Sequence, residues 1–418
     1  MMFALVDANS FYCSAEQVFR PEWRGRPIIV LSNNDGCIVA ANRQAIAAGI
    51  PKFEPYFKVK ALCDRLGVIA LSSNYELYGS LSASMMEVIG RFAPEQHVYS
   101  IDESFLSFKH CYPAIPCLVK HGHIIRRAVW KETRLPVSIG MGKTLTLAKI
   151  ANHAAKKLTD YNGVCVIANS DQRKAILSQI KPCHVWGIGR RLSKQLDLMG
   201  ITSAYALSQM APGLARKQFS IEMERTVREL NGEPCKGWDQ ARADKQQIFS
   251  TRSMGERITD SNSLQQALGK HAGIATSKAR AQGSLCSVLL IFASNSPFDE
   301  QPTGFKLTHR FAYPTNDTGE ITQIVTQIAK QQFRAGVRYY KVGVGLIDLI
   351  SESHNQLDLF ASPKNPALMK VYDALNHKYG SDSIFMAAQG FTAKWHMKRE
   401  YLTPQYTTSW RDIPKITC

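Results

Sequence analysis

The chain has 418 residues and a formal net charge of +17 at pH 7, because 51 lysines and arginines face 34 aspartates and glutamates. Hydrophobic residues make up 45% and charged residues 20% of the sequence, which is typical of a folded protein and excludes wholesale disorder. At about 150 residues per domain, this length predicts about three domains. The charge favours a polyanionic partner, and the alternative is a basic protein that its charge keeps soluble.

Cysteine usage and hydropathy restrict the class of protein further. Ten cysteines, none in a C-x-x-C spacing, argue against a zinc ribbon or a disulfide scaffold and favour a reducing compartment. The longest apolar stretch, near residues 287–293, is far shorter than the ~18 residues of a membrane span. The opening MMFALVDANSF has an aspartate in its apolar run and no basic lead-in, so we do not expect a signal peptide. The sequence predicts a soluble, cytoplasmic protein.

Short apolar segments in the first 170 residues predict buried strands, and helix-like segments lie between them. We expect strands at residues 2–6, 27–31, 98–108 and 136–141, and helices at residues 75–92, 118–132 and 145–158. This pattern indicates a mixed α/β layer with helices covering the strands.

The predicted secondary structure differs in two later regions of the chain. Residues 169–233 predict helices only, with a Gly-centred turn between two helices in WGIGRRLSKQLDLMGI, residues 186–201. From residue 248 to residue 351 the order strand, helix, strand, strand, helix, strand predicts a four-stranded sheet with two helices on one face. A polar stretch, a helix at residues 366–378 and a basic, aromatic tail follow.

Carboxylates give the strongest chemical signal. Asp7 ends the first predicted strand, and Asp102 and Glu103 interrupt an apolar one, where a buried charge is costly unless a cation compensates it. Each carboxylate could instead pair with one of the many lysines or arginines. Carboxylates of this kind suit Mg²⁺, which takes one or two of them together with substrate phosphates.

A second group of potential metal ligands is less convincing. Cys111, Cys117, His121 and His123 are spaced C-x5-C-x3-H-x-H, which does not match the spacing of zinc sites. We therefore do not expect a metal at this group.

Nine motifs, taken in order along the chain, resemble those of Y-family DNA polymerases. The general motifs are VDANSFYCS (6–14), LSNNDGCIVAAN (31–42), SSNYELYG (72–79), YSIDESF (99–105), LAKIANHAAKK (147–157) and VWGIGRRLSKQLDLMGI (185–201). Three more resemble the UmuC type in particular: RSMGERITD (252–260), QLDLF (356–360) and WHMKREYLTPQYTT (395–408). The UmuC type is the catalytic subunit of the error-prone bacterial DNA polymerase V, and the resemblance runs over essentially the whole chain.

This resemblance implies a fold. It is an α/β multi-domain, right-hand polymerase with an α+β palm, small fingers, an all-α helix-hairpin-helix thumb and a β-α-β-β-α-β little finger. The implied boundaries are palm 1–30 and 75–168 (the latter with the catalytic hairpin), fingers 31–74, thumb 169–232, linker 233–247, little finger 248–351 and a clamp- and partner-binding tail 352–418.

The resemblance also implies an activity, namely error-prone translesion DNA synthesis in the SOS response. The enzyme would add a dNTP to a primer 3′-hydroxyl with two Mg²⁺ ions, in the bacterial cytoplasm and at the nucleoid when active. The implied partners are primer–template DNA, dNTPs, the sliding clamp, a cleaved UmuD-type homodimer and RecA, with no membrane. Two rivals are a non-catalytic clamp- and DNA-binding subunit, against which the intact acidic triad argues, and a nucleotide cyclase, against which the charge and the clamp motif argue.

By resemblance, the catalytic residues are Asp7, Asp102 and Glu103, and the carbonyl of Ala8 joins them as a metal ligand. Tyr12 matches an aromatic residue that excludes ribonucleotides, because its ring leaves no room for a 2′-hydroxyl. The alternative for Tyr12 is packing in the core.

Other binding residues also follow from the resemblance. Lys156 aligns with a lysine that reaches the triphosphate. Two positions that are usually basic hold Ile46 and Leu145, and Arg43, one turn before the first, and Lys143, close to the second, are the candidates to replace them. The helix-hairpin-helix implies phosphate contacts from Gly187, Gly189 and Arg190. The clamp motif consists of Gln356, Leu357, Asp358, Leu359 and Phe360, whose apolar members are costly to expose unless they bind a partner; a satellite core cluster is the alternative.

Overall fold

The computed structural model describes residues 2–109, 111, 115–237, 244–354, 365–391, 395 and 397–413. The chain divides into two compact units, residues 1–241 with 401–418 and residues 242–400. Within the described residues, no helix is long and apolar enough to cross a membrane.

The first unit contains two sheets and the helices that cover them. Its strands are β1 (Phe3–Ala8), β2 (Ile28–Leu31), β3 (Ile38–Ala41), β4 (Ile69–Ser72), β5 (Glu95–Val98), β6 (Glu103–Ser107), β7 (Val137–Gly142) and β8 (Val164–Ile167). Its helices are α1 (Phe11–Val18), α2 (Arg43–Ala47), α3 (Tyr56–Arg65), α4 (Tyr75–Gly90), α5 (Leu118–Thr133), α6 (Leu145–Lys157), α7 (Ser170–Gln179), α8 (Arg190–Leu198), α9 (Ala204–Ser208), α10 (Pro212–Gln218) and α11 (Ile221–Leu230).

The larger sheet has the order β5-β6-β1-β7-β8, with β1 at its centre. Because side chains alternate along a strand, β1 is buried on both faces. Ala4 and Val6 lie in one core with α4 and α5, whereas Phe3 and Leu5 lie in another with α6. The predicted mixed layer of covered strands is confirmed.

A smaller sheet, β3-β2-β4, has its own core with α2 and α3. Its strands β3 and β4 were not predicted, because a four-residue apolar run carries too little periodicity to be assigned. Residues 169–233 are helical as predicted, and α7, α8, α9, α10 and α11 enclose a separate apolar core.

One predicted strand is wrong. Residues 98–108 form a turn and a strand, because β5 ends at Val98 and β6 begins at Glu103. The Ser100 hydroxyl accepts the backbone N–H of Glu103 at 3.1 Å, which satisfies the turn locally. Asp102 therefore lies in the turn of a hairpin, not in the middle of a strand, and its carboxylate is only partly buried.

The second unit confirms the predicted strand–helix order. Its elements are β9 (Ile248–Ile258), α12 (Ser261–Ala281), β10 (Ser284–Ser294), β11 (Gly304–Thr315), α13 (Thr318–Gln332), β12 (Tyr339–Ser351) and α14 (Pro366–Tyr379). The antiparallel sheet has the order β11-β10-β12-β9, and both α12 and α13 pack on one face of it.

Candidate active site

Three carboxylates meet at one end of the central sheet. Asp7, near the end of β1, is in register with Glu103, the first residue of β6. Asp102 precedes Glu103, and its carbonyl accepts the N–H of Ala8 at 2.9 Å. The Ser100 hydroxyl donates to Asp102 Oδ1 at 2.6 Å and orients that carboxylate. The β5–β6 hairpin thus brings together residues that are about a hundred positions apart in the sequence.

Helix α6 places two lysines against these carboxylates. Lys149 Nζ lies 2.9 and 3.0 Å from the two carboxyl oxygens of Glu103. Lys156 forms an ion pair with Asp7. The two lysines are seven positions apart, so they share one helix face. The sequence pointed to Lys156 but not to Lys149, although that spacing was the signal that could have found it.

The surroundings of the Asp7 carboxyl disfavour its charged form. Burial raises its pKa to about 6, and the nearby charges of Glu103 and Asp102 add to the rise, whereas Lys156 opposes it. Three carboxylates at one end of a sheet favour positive charge beside them. Two lysines pair with two of these carboxylates. Carboxylate oxygens are the ligand type that a hard divalent cation prefers.

In the described part of the chain, no group of three or more His, Cys, Asp or Glu side chains is arranged to hold a metal ion. At the carboxylates, Asp7 and Glu103 face lysines instead. In the group of Cys111, Cys117, His121 and His123, the His121 ring packs edge-on against Phe92 and Phe108.

A cleft of about 990 Å³ opens beside the carboxylates. The predicted site residues that line it are Asp7, Ala8, Tyr12, Arg43, Asp102 and Lys156. Ile46 also lines it, and so do Lys52 and Lys157, which were not predicted as site residues. Leu145, by contrast, is buried in the core beneath β1, where a lysine could not replace it without losing its hydration.

Tyr12 lies on the first turn of α1, half-buried at the edge of the cleft. Its ring stacks on that of Tyr78, with centroids 4.7 Å apart and planes 17° apart, and meets Tyr75 edge-on at 5.8 Å. Burial, with a contribution from Tyr75, raises the pKa of Tyr12 to about 12, so the hydroxyl is neutral at physiological pH. Its neighbour Phe11 is buried in the core.

The glycine-rich turn precedes α8. Gly187 has φ +88°, a conformation that favours glycine, and Gly189 caps the helix. A Cβ atom at either glycine would meet nothing within 4 Å, so the backbone is open to a ligand. Arg190 is exposed beside them. The clamp motif at residues 356–360 lies outside the described residues.

Comparison with known proteins gives consistent family matches. The model of the impB/mucB/samB family matches residues 6–153, and that of its C-terminal domain matches residues 245–359. A domain of unknown function, DUF4113, matches residues 366–416.

Full-length relatives and solved structures agree with these matches. Protein UmuC of Salmonella typhimurium is 41% identical over 99% of this chain and 100% of its own length. Protein MucB of Escherichia coli is 39% identical over 100% of both chains, and a DNA polymerase IV of Bacillus cereus is 27% identical over 92% of both. A Y-family DNA polymerase chimera, Dbh-Dpo4(243-245)-Dbh, shares the fold with a TM-score of 0.63, at 17% identity, over 84% of this chain and 100% of its own.

Proposed function

Because this chain belongs to the UmuC type of the Y-family DNA polymerases, we propose that Asp7, Asp102 and Glu103 are its catalytic residues. The chain is a DNA-directed DNA polymerase for error-prone translesion synthesis. The observation that carries the proposal is the meeting of three carboxylates at the end of the sheet, beside a cleft with basic side chains. Primer extension by the wild type and by Asp102→Asn tests it.

Asp7, Asp102 and Glu103, with the carbonyl of Ala8, would hold two Mg²⁺ ions. When bound, the ions activate the primer 3′-hydroxyl and stabilise the leaving pyrophosphate. Cations held there would replace Lys156 as the counter-charge of Asp7 and would leave this lysine for the triphosphate. The hydrogen bond from the Ser100 hydroxyl holds the Asp102 carboxylate at the cleft.

The same cleft would bind the incoming nucleotide. Arg43, Lys52 and Lys156 line it and supply positive charge for the triphosphate. Tyr12 would lie under the sugar and exclude ribonucleotides by steric clash. Ile46, 48% exposed, adds apolar surface where a basic residue is usual, which leaves Arg43 as the cation of α2 at this position.

DNA would contact both units. In the first, Gly187, Gly189 and Arg190 would bind a backbone phosphate. In the second, the sheet face opposite α12 and α13 carries exposed lysines. Lys306 is in register with Phe292, and Lys341 with Ser294, so both lie on the face opposite the buried residues of β10.

We expect this face to bind DNA mainly through phosphates. The logarithm of the association constant should fall with the logarithm of salt by about 0.9 per phosphate contacted, and Lys306→Ala and Lys341→Ala should each reduce that slope by about one. Lys330→Ala, on the exposed side of α13, is the matched control and should leave the slope unchanged. Titration of a labelled primer–template at several salt concentrations measures the effect, and equal slopes in all variants would contradict it.

The tail would bind the sliding clamp through QLDLF at residues 356–360. Replacing Leu359 and Phe360 by alanine should abolish clamp stimulation, because a few apolar anchors carry most of the binding energy of a short motif. Tethering raises the effective concentration of the enzyme at the primer end, an avidity gain of ~10²–10⁴ that this variant should lose. Synthesis without the clamp should be unchanged, because the motif is distant in sequence from the catalytic residues.

Extension assays with and without clamp measure this effect. A double variant of Leu368 and Val371, which are exposed on α14, is the control and should keep the stimulation. Equal loss with and without clamp would instead make the motif structural. A cleaved UmuD-type homodimer and RecA would be the further partners, in the cytoplasm and at the nucleoid.

A further inference from the structure

The end of the chain returns to the first unit. We define residues 401–406 as the C-terminal strap; they fall inside the match to the domain of unknown function. The Ser72 N–H donates to the Tyr401 carbonyl, and the Tyr401 N–H donates to Ser72 Oγ, both at 3.0 Å. At the other end of the strap, Tyr406 stacks on Phe19 with centroids 4.7 Å apart. The strap thus joins the end of β4 to the end of α1.

The centre of the strap holds the start of α4. Asn74 is fully buried and caps this helix, since its side-chain oxygen accepts the N–H of Leu77 at 3.3 Å. Its amide group donates to the Thr403 carbonyl at 3.1 Å, the Thr403 hydroxyl at 3.0 Å and the Pro404 carbonyl at 3.3 Å. One side chain therefore ties the cap of α4 to the strap.

A second buried contact links α4 to α1. Glu16, one turn after Tyr12, is 1% exposed and accepts the Tyr78 hydroxyl at 2.7 Å. Burial raises the pKa of Glu16, and the hydrogen bond from the Tyr78 hydroxyl opposes that rise. Thr403 is linked to Tyr78 through Asn74, because the Asn74 side chain binds the Thr403 hydroxyl and the Asn74 carbonyl accepts the N–H of Tyr78 at 2.9 Å.

Tyr78 in turn supports the ring of Tyr12. The two rings are stacked, and Tyr75, on the same first turn of α4, meets the Tyr12 ring edge-on. We propose that the strap is a positioning element for Tyr12, with Thr403 as its main residue, and that it thereby sets the discrimination against ribonucleotides. This inference rests on the proposed role of Tyr12 in sugar selection. It gives the matched domain of unknown function a role at the nucleotide site.

The test is the ratio of kcat/KM for a ribonucleotide to that for the matching deoxynucleotide, measured on the full chain. Thr403→Val removes the hydroxyl with little change of shape, and we expect it to raise the ratio about 5-fold, the effect of one typical hydrogen bond. Thr403→Ser restores the hydroxyl and should restore the ratio. Thr408→Val, an exposed threonine just beyond the strap, is the matched control and should stay within about two-fold of wild type.

General loss of stability must be separated from loss of positioning. Leu207→Ala creates a cavity in the separate core that α7, α8, α9, α10 and α11 enclose, whose residues do not include the strap, and should lower the unfolding temperature without changing the ratio. If Thr403→Val does not fold, Asn74→Ser keeps a helix-capping side chain but loses the amide that binds the strap. It should raise the ratio as well.

Three outcomes decide the inference. A raised ratio in Thr403→Val, with wild-type ratios in Thr403→Ser and Thr408→Val, supports it. An unchanged ratio in folded Thr403→Val, when Tyr12→Ala does raise the ratio, overturns the role of the strap and leaves that of Tyr12 intact. If even Tyr12→Ala leaves the ratio unchanged, the proposed role of Tyr12 fails, and the inference fails with it.

Discussion

Asp102→Asn should abolish nucleotide incorporation while primer–template binding stays near the wild-type value. The substitution keeps the size of the side chain and lets it still accept the Ser100 hydroxyl, now at 2.6 Å from Oδ1. What it removes is a negative charge at the point where the resemblance places two cations. Metal-ion stabilisation of the transition state contributes several kcal/mol, so we expect kcat to fall by about 1000-fold or more.

Single-nucleotide incorporation under pre-steady-state conditions measures this effect, and fluorescence anisotropy measures DNA binding in parallel. The matched control is Asp64→Asn, which removes an exposed carboxylate that pairs with Lys60 at 2.8 Å on α3. That variant should retain wild-type rates, because exposed ion pairs contribute little. Rapid incorporation by Asp102→Asn would refute the assignment of the carboxylates, and loss of DNA binding would point to a folding defect instead.

The sequence predicted the second unit and the centre of the first well, because long periodic segments dominate there. Helix α12 runs from Ser261 to Ala281, and its apolar face follows the helical period closely enough to fix both its type and its buried side. Short strands were harder. β8 (Val164–Ile167) was missed, since four apolar residues after a helix do not distinguish a strand from a loop.

Side-chain partners were predicted less well than elements. The motifs led to Asp7, Asp102, Glu103 and Lys156 but not to Lys149, although its seven-position spacing from Lys156 places both lysines on one face of α6. The contact between Asn74 and Thr403 spans 329 positions, and local periodicity carries no information on such pairs. Tertiary packing determines such long-range pairs, so the strap could be identified only in the structure.

Substitution of Tyr12 should have the second large effect, on the selection between deoxyribonucleotides and ribonucleotides. Its ring lines the cleft that also contains Asp7 and Asp102, and it contacts two aromatic rings of α4, one stacked and one edge-on. A rigid ring at this place discriminates by excluding volume, so the sugar with an extra hydroxyl is rejected by clash and not by a missing contact. Removing the ring should therefore admit ribonucleotides without creating any new attraction for them.

We expect Tyr12→Ala to raise the ratio of ribonucleotide to deoxynucleotide incorporation on the order of 100-fold, mostly through a lower KM for the ribonucleotide. Tyr12→Phe keeps the ring and loses only a hydroxyl that is neutral at physiological pH, because its pKa is raised to about 12. It should keep the wild-type ratio. Single-nucleotide kinetics with matched ATP and dATP measure both variants. An unchanged ratio in folded Tyr12→Ala would mean that the residue only packs against Tyr78, and relaxed selection in Tyr12→Phe would mean that the hydroxyl, not the ring, senses the sugar.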